Sequence, residues 1–321
     1  MLIKGEWQGD WHPYQQKDKK GGFVRQESSF RHWITADGAP GPTGEGGFKA
    51  EADRYHLYVA LICPWASRTL MARALQKLEE VISVSVVNPQ LSAEGWAFGG
   101  FEGADEDVLN GATYMHQIYT KADPHYTGRA TVPVLWDKKR QTIVNNESAD
   151  ILRMLNQSFS EIVPTQLDLY PDALASEIDV LNDWLYHGLN NGVYRAGFAQ
   201  SQEAYAEAFD DVFATLEKLE DRLAQQGPYL FGDQLTESDI RLFVTLARFD
   251  VAYYGLFKTN LKRVQDYPHL LAFCQKIYGL DGVANTVKLD HIKAGYYSVK
   301  ALNPHQIIPA GPIDVGFVAA A

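Results

Sequence analysis

The sequence predicts a small α/β domain followed by an all-helical domain, behind an irregular N-terminal extension. Three observations carry this expectation. Between Tyr55 and Val87 a strand, a helix and a second strand follow one another. From about residue 165 onward every long segment keeps helical spacing. The length, 321 residues, suits about two domains of ordinary size.

The elements are justified in chain order. Residues 1–49 mix polar side chains with Trp7, Trp11 and Trp33 and end in the Gly- and Pro-rich run Asp37–Gly47, a loop former. Three tryptophans are costly to leave in water, so the extension is expected to lie ordered on a domain surface. Tyr55–Ile62 is a continuous apolar run, read as a short buried strand that Cys63-Pro64 breaks. Ala66, Leu70, Ala74 and Leu78, widened by Met71 and Leu75, make residues 65–79 an amphipathic helix. Pro64 suits its opening turn, where a missing N–H costs nothing. Val81–Val87 is the next strand. A long Gly- and Asp-rich connection over 88–130 holds one helix near Tyr114–Lys121, and connections of this length are usually functional. Thr131–Trp136 and Thr142–Val144 read as a hairpin turned by Asp137–Arg140, and Glu147 opens another helix.

In the second half Phe209, Val212, Phe213, Leu216, Leu219 and Leu223 place one apolar stripe along Glu203–Gln226. A helix starting near Leu235 carries Thr236 and Asp239 in a capping arrangement, and Leu270–Leu280 is one more. The expected division is a 1–49 extension, a 50–160 α/β domain, a 165–290 helical domain and a 291–321 tail rich in Tyr and Pro.

Composition excludes several function classes. With 46% hydrophobic and 21% charged residues, a large folded core is available. Net charge is −11, from 29 basic and 40 acidic residues, which opposes binding of nucleic acid through its phosphates. No segment approaches the roughly 20 apolar residues of a membrane span, and the N-terminus lacks the apolar stretch of a signal peptide. Two cysteines cannot build a disulfide framework and fit the reducing cytoplasm. Two cysteines and nine scattered histidines also make a metal site unexpected. The 38–47 glycine run lacks the last glycine of G-x-G-x-x-G and precedes a strand instead of following one, so it is no nucleotide loop.

Cys63 is the strong chemical signal. It lies where a strand feeds a helix, and the unpaired N–H groups and dipole of a helix start favour a thiolate. The alternative fate of a free cysteine, a small buried hydrophobe, fits Cys274 between Phe273 and Ile277. In Cys63-Pro-Trp-Ala66 alanine occupies the place of a second redox cysteine, so an external thiol must resolve whatever Cys63 forms. Glutathione is the natural cytoplasmic choice. Val132-Pro133 is compatible with a cis peptide that turns the Val132 backbone toward a ligand chain. Glu147-Ser148 at a helix start could serve only as a cap. It could equally hold a small carboxylate on its hydroxyl and backbone N–H groups while Glu147 meets an ammonium. Together these features describe a thioredoxin-like glutathione cradle with element order β-α-β-α-β-β-α.

The chain resembles the glutathionyl-hydroquinone reductases, the Xi class of the glutathione transferases, nearly end to end. The matching stretches are Gly22–Ile34, Cys63-Pro-Trp-Ala66, Asn191-Gly-Val-Tyr-Arg-Ala-Gly197, Arg248-Phe-Asp250 with Tyr253 and Phe257-Lys258, His291-Ile-Lys293 with Tyr296-Tyr297, and Asn303-Pro304. The resemblance implies the glutathione transferase fold, a homodimer, and reduction of a glutathionyl-hydroquinone to hydroquinone and oxidised glutathione. It implies that Cys63 attacks the sulfur of the adduct, and that a second glutathione frees the resulting mixed disulfide. The implied glutathione site is Trp96, Arg129, Ala130, Thr131, Val132, Glu147 and Ser148. Tyr194 is implied as proton donor and acceptor at the ring, with Tyr253 and Tyr296 hydrogen-bonding around sulfur and substrate oxygens. The family's tail motif commonly reads His-Tyr-Tyr-x-Ser-His, whereas here Gly295 precedes Tyr296 and Val299-Lys300 follow Ser298. Two rival readings stand beside this one. The first is a general glutathione thiol transferase or dehalogenating reductase using the same Cys63. The second is a glutathione-binding module without catalysis.

Overall fold

The computed structural model describes residues 1–9, 17–165 and 167–318; Trp11 lies outside the described residues. Two units emerge. One holds residues 1–9 and 26–168, the other residues 17–25 and 169–318.

The first unit is built on a four-stranded sheet. The chain opens with a two-residue hairpin, β1 (Leu2–Ile3) and β2 (Glu6–Trp7). Then come β3 (Tyr55–Val59), α1 (Pro64–Leu75), β4 (Ser83–Val86), α2 (Met115–Ala122), β5 (Val134–Asp137), β6 (Thr142–Asn145) and α3 (Ser148–Gln157). Apart from the opening hairpin, this is the element order expected from the sequence. The sheet order is β4-β3-β5-β6, with β3 parallel to β4 and antiparallel to β5, and β6 antiparallel to β5. β3 is buried at all five residues, as a strand covered on both faces must be, and α1 packs on α3. β3 ends at Val59, three residues short of the apolar run, because Ala60–Cys63 closes a turn in which Cys63 N–H donates to the Ala60 carbonyl at 2.9 Å. β5 begins only at Val134, since Pro133 has no N–H for a ladder.

The extension is divided between the units. Residues 30–32 run antiparallel along β6, with His32 N–H on the Val144 carbonyl at 3.0 Å and Asn146 N–H on the Phe30 carbonyl at 3.1 Å. They cover an edge that would otherwise be open to another chain. Trp7 and Trp33 both find acceptors, the Ala93 carbonyl at 3.0 Å and the Thr43 hydroxyl at 2.9 Å. Residues 17–25 group with the helical unit.

His56, on β3 opposite Ser83, is 5% exposed; its Nδ1 lies 2.8 Å from the Ser83 hydroxyl, while its Nε2 is buried without a partner. Burial lowers its pKa to about 4, with the Lys138 charge adding to the effect. The folded chain therefore keeps this imidazole neutral while the unfolded chain takes up a proton below about pH 6.5. The His56 contribution is fully present above that pH and is lost as pH falls toward 4. Between pH 7 and pH 5 it should remove about 2 kcal/mol of stability. Urea unfolding of the parent and of His56→Leu at both pH values checks this: the loss on acidification should be smaller in the variant by about that amount, and an equal loss in both would refute it.

The helical unit contains α4 (Ala175–Leu185), α5 (Gly192–Gly197), α6 (Gln202–Gln226), α7 (Glu237–Arg248), α8 (Tyr254–Leu256), α9 (Pro268–Tyr278) and α10 (Leu289–Tyr297). The boundary expected at residue 290 falls inside α10. π-helical turns at Tyr186–Asn190 and Phe249–Tyr253 join α4 toward α5 and α7 to α8. α7 is buried along its whole length and forms the centre of the unit. Its capping box is complete, with the Asp239 carboxylate accepting from Thr236 N–H at 2.8 Å and Leu230 N–H at 2.8 Å. On α6 the expected stripe is buried at Val212, Phe213, Leu216, Leu219 and Leu223, while Phe209 is half-buried against Phe213. No helix among the described residues is long and apolar enough to cross a membrane.

Candidate active site

In the first unit Cys63 occupies the N-cap position of α1, with Pro64 at the first turn. The thiol is partly exposed, and its side chain makes no capping hydrogen bond. Its Sγ lies 3.6 Å from the Val132 carbonyl. The Val132–Pro133 bond is cis. The α1 N-terminus thus brings Cys63 and Val132 together, two residues far apart in sequence.

Thr131 and the segment leading to it are held by a residue that sequence reading missed. Tyr119 of α2 is fully buried; its hydroxyl donates to the Thr131 carbonyl at 3.0 Å and accepts from Thr131 N–H at 3.2 Å and Asn146 Nδ2 at 3.1 Å. One phenol therefore ties the Arg129–Val132 segment to the turn before α3. Burial raises its pKa, so it stays a phenol and keeps its donor. Tyr126 adds a hydrogen bond to the Arg129 carbonyl at 3.2 Å. Ala130 lies between these anchors, and like Arg129 and Thr131 it is partly exposed. No pattern in the sequence separates Tyr119 from the other sixteen tyrosines of the chain's 17.

Glu147 caps α3, its Oε1 accepting from Ala149 N–H at 3.2 Å. Its Oε2 accepts from the Ser28 hydroxyl at 2.9 Å. Ser148 is buried at the first position of α3, and the Arg68 guanidinium, 2% exposed, reaches its hydroxyl at 3.5 Å while stacking over Trp65 at 4.4 Å. A buried cation therefore lies beside a helix N-terminus, an arrangement suited to a carboxylate. Arg68 was also missed, because an arginine on an amphipathic helix ordinarily lies on its solvated face. Trp96 is partly exposed on the loop between β4 and α2. Trp7 holds the turn before it through the Ala93 carbonyl and stacks on His116 at 4.6 Å.

In the helical unit the three expected tyrosines converge. Tyr194 of α5 lies 2.7 Å, hydroxyl to hydroxyl, from Tyr296 of α10, and Tyr253 lies 2.8 Å from the same Tyr296. Tyr253 and Tyr296 are buried and Tyr194 partly so. Phe198 and Phe257 pack the Tyr194 ring at 6.3 and 5.4 Å between centroids. Burial pushes Tyr253 and Tyr296 well above an ordinary phenol, so both remain protonated links in a hydroxyl chain. The neighbouring Tyr254 and Tyr297 are only partly buried and stand outside this chain. Cys274 is fully buried on α9, and burial pushes its thiol well up. Among the described residues no group of three or more His, Cys, Asp or Glu could hold a metal ion.

Known proteins are similar to this chain over nearly its whole length. Residues 62–158 match the model of the glutathione S-transferase N-terminal domain, and residues 202–276 that of the C-terminal domain. The chain is 54% identical to the glutathionyl-hydroquinone reductase YqjG of Escherichia coli, over 97% of this chain and 95% of that protein. It belongs to the glutathionyl-hydroquinone reductases. The glutathionyl-hydroquinone reductase PcpF of Sphingobium chlorophenolicum is 48% identical, over 97% and 96% of the two chains. The glutathione-bound structure of YqjG superposes with a TM-score of 0.90 at 52% identity, covering 98% of this chain and 96% of that one. The Xi glutathione transferase of Phanerochaete chrysosporium gives 0.88 at 46%, covering 93% and 95%. The fold is therefore that of the Xi-class glutathione transferases, a thioredoxin-like unit followed by a helical one.

Proposed function

We propose that this protein reduces glutathionyl-hydroquinones to hydroquinones, with glutathione as the reductant. The observation that carries the reading is the partly exposed Cys63 thiol at a helix N-terminus, with no second cysteine in its unit. Such a thiol can open a thioether or a disulfide but cannot resolve the product alone.

In the proposed cycle the Cys63 thiolate attacks the glutathione sulfur of the adduct. A sulfur–sulfur bond forms, the carbon–sulfur bond breaks, and its electron pair passes to the ring carbon. Tyr194 assists the keto form of the ring that accepts this pair and supplies the proton to carbon, and Tyr296 and Tyr253, which stay protonated, hold its hydroxyl in their hydrogen-bonded chain. A second glutathione thiolate then attacks the mixed disulfide, releasing oxidised glutathione and the Cys63 thiolate. The ring gains two electrons, and the two glutathione sulfurs lose them.

Glutathione lies, in this reading, along Arg129–Val132, with Val132 pairing its peptide backbone. Ser148 and the α3 N-terminus take a carboxylate, Glu147 the ammonium, and Trp96 flanks the bound tripeptide. The carboxylate of Glu147 has lone pairs beyond those used by Ala149 and Ser28. The protein acts as a homodimer in the cytoplasm, the compartment that its two cysteines suit.

Incubation of the purified protein with a glutathionyl-hydroquinone and glutathione should yield one hydroquinone and one oxidised glutathione per adduct consumed. A protein that reduces a glutathione mixed disulfide yet leaves the thioether intact would be a thiol transferase instead.

A further inference from the structure

The segment Gly22–Ile34 carries an arginine that the proposed chemistry does not use. Arg25 lies with its guanidinium carbon 4.9 Å from the centroid of the Tyr194 ring. Its Nε donates to Asn191 Oδ1 at 3.1 Å, and Phe23 lies on the guanidinium at 5.3 Å. Asn191 is itself buried at 8% exposure and stands one helical turn before Tyr194. The clamp and the ring thus stand on the same turn.

We propose that Arg25 is a positioning residue for proton transfer: its charge, fixed on the face of Tyr194, stabilises the phenolate and makes Tyr194 the member of the triad that gives up its proton. The inference rests on the reading of Tyr194 as the proton carrier. Its physical basis is that a phenolate ring is far more electron-rich than a phenol, so a cation on its face favours the ionised form.

The other groups around Tyr194 point the same way. Tyr296 and Tyr253 are pushed well up by burial, and a negative Tyr194 pushes them further, so they do not compete for the first ionisation. Arg248 on α7 acts on Tyr253 and Tyr296 in the opposite direction, but burial outweighs it. Arg195, next in sequence to Tyr194, is turned away into ion pairs with Glu207 at 3.1 Å and Asp211 at 2.9 Å on α6. Phe198 and Phe257 are neutral. Among the described residues Arg25 is therefore the cation placed on the Tyr194 ring itself.

Tyrosinate absorbance titration tests this without turnover. Subtracting the curve of a Tyr194→Phe background isolates the Tyr194 component among the chain's 17 tyrosines. In Arg25→Gln that component should move up by about one pH unit, whereas Arg25→Lys, which keeps the charge, should recover most of the shift. The corresponding limb of the pH profile for hydroquinone release should move in parallel. A Tyr194 component unmoved in a folded Arg25→Gln protein overturns the proposal and reduces Arg25 to packing. Should that variant not fold, Asn191→Ala removes the hydrogen bond to Arg25 Nε and should give a smaller shift in the same direction; no shift there is equally fatal. If Tyr194→Phe turns over adducts like the parent, the underlying reading fails, and the titration separates that failure from failure of the Arg25 effect.

Discussion

Replacing Cys63 by alanine should lower hydroquinone release by at least about a thousandfold, while glutathione binding stays within a few-fold of the parent. The structure allows so selective a change. Cys63 holds the N-cap position of α1 but its side chain makes no capping bond, so the helix loses no hydrogen bond when the sulfur goes. What disappears is the proposed nucleophile, with its thiol contact of 3.6 Å to the Val132 carbonyl. Cys63→Ser should be as inactive as alanine, because a hydroxyl is not ionised by a helix N-terminus near neutral pH. Product analysis gives the rate, and calorimetric titration with glutathione gives the affinity. Equal turnover by parent and alanine variant would mean that Cys63 is not the nucleophile.

Tyr194→Phe should cost about a hundredfold or more in release of hydroquinone, with little change in reduction of a simple glutathione mixed disulfide. The leaving group explains the split. A ring carbon must be protonated as the carbon–sulfur bond breaks, whereas a thiolate leaves a disulfide without help. Phenylalanine keeps the ring between Phe198 and Phe257 and removes only the oxygen 2.7 Å from Tyr296. Tyr253→Phe should have the smaller effect, since in this reading Tyr194 delivers the proton while Tyr253 only supports the hydroxyl cluster, bonding Tyr296 at 2.8 Å. The two substrates are assayed side by side. Losses of equal size on both would remove the acid–base role and leave Tyr194 a packing residue.

Much of the first unit was legible because its signals are local. Continuous burial marks β3, four-residue spacing marks α1, and a proline beside the cysteine marks the helix start; each is a property of fewer than fifteen neighbouring residues. The element boundaries drifted where hydrogen bonding, not hydrophobicity, ends an element, as in the Ala60–Cys63 turn. In the helical unit the long amphipathic α6 was plain. The opening of the tail as α10 was not, for its buried residues His291, Ile292, Ala294, Gly295 and Tyr296 form no clear apolar stripe.

The candidate site divides in the same way. Cys63, Val132, Glu147 and Ser148 could be singled out by their positions at strand and helix ends, where backbone groups and dipoles act on whatever residue stands there. The tyrosines could not. Tyr194 and Tyr296 are 102 residues apart and Tyr253 and Tyr296 are 43 apart, so no spacing rule links them, and only family resemblance named them.

By itself, then, the sequence singled out Cys63 as the candidate nucleophile, the order of elements around it and the alanine standing where a second redox cysteine would be, since these follow from local chain chemistry. Tertiary structure alone decided that Tyr119 ties Thr131 to Asn146, that Arg68 is buried beside Ser148, and that Arg25 lies on Tyr194. Each of these depends on burying a polar group among partners distant in sequence. A buried hydroxyl or guanidinium has meaning only through the neighbours that replace its water, and those neighbours are chosen by the fold.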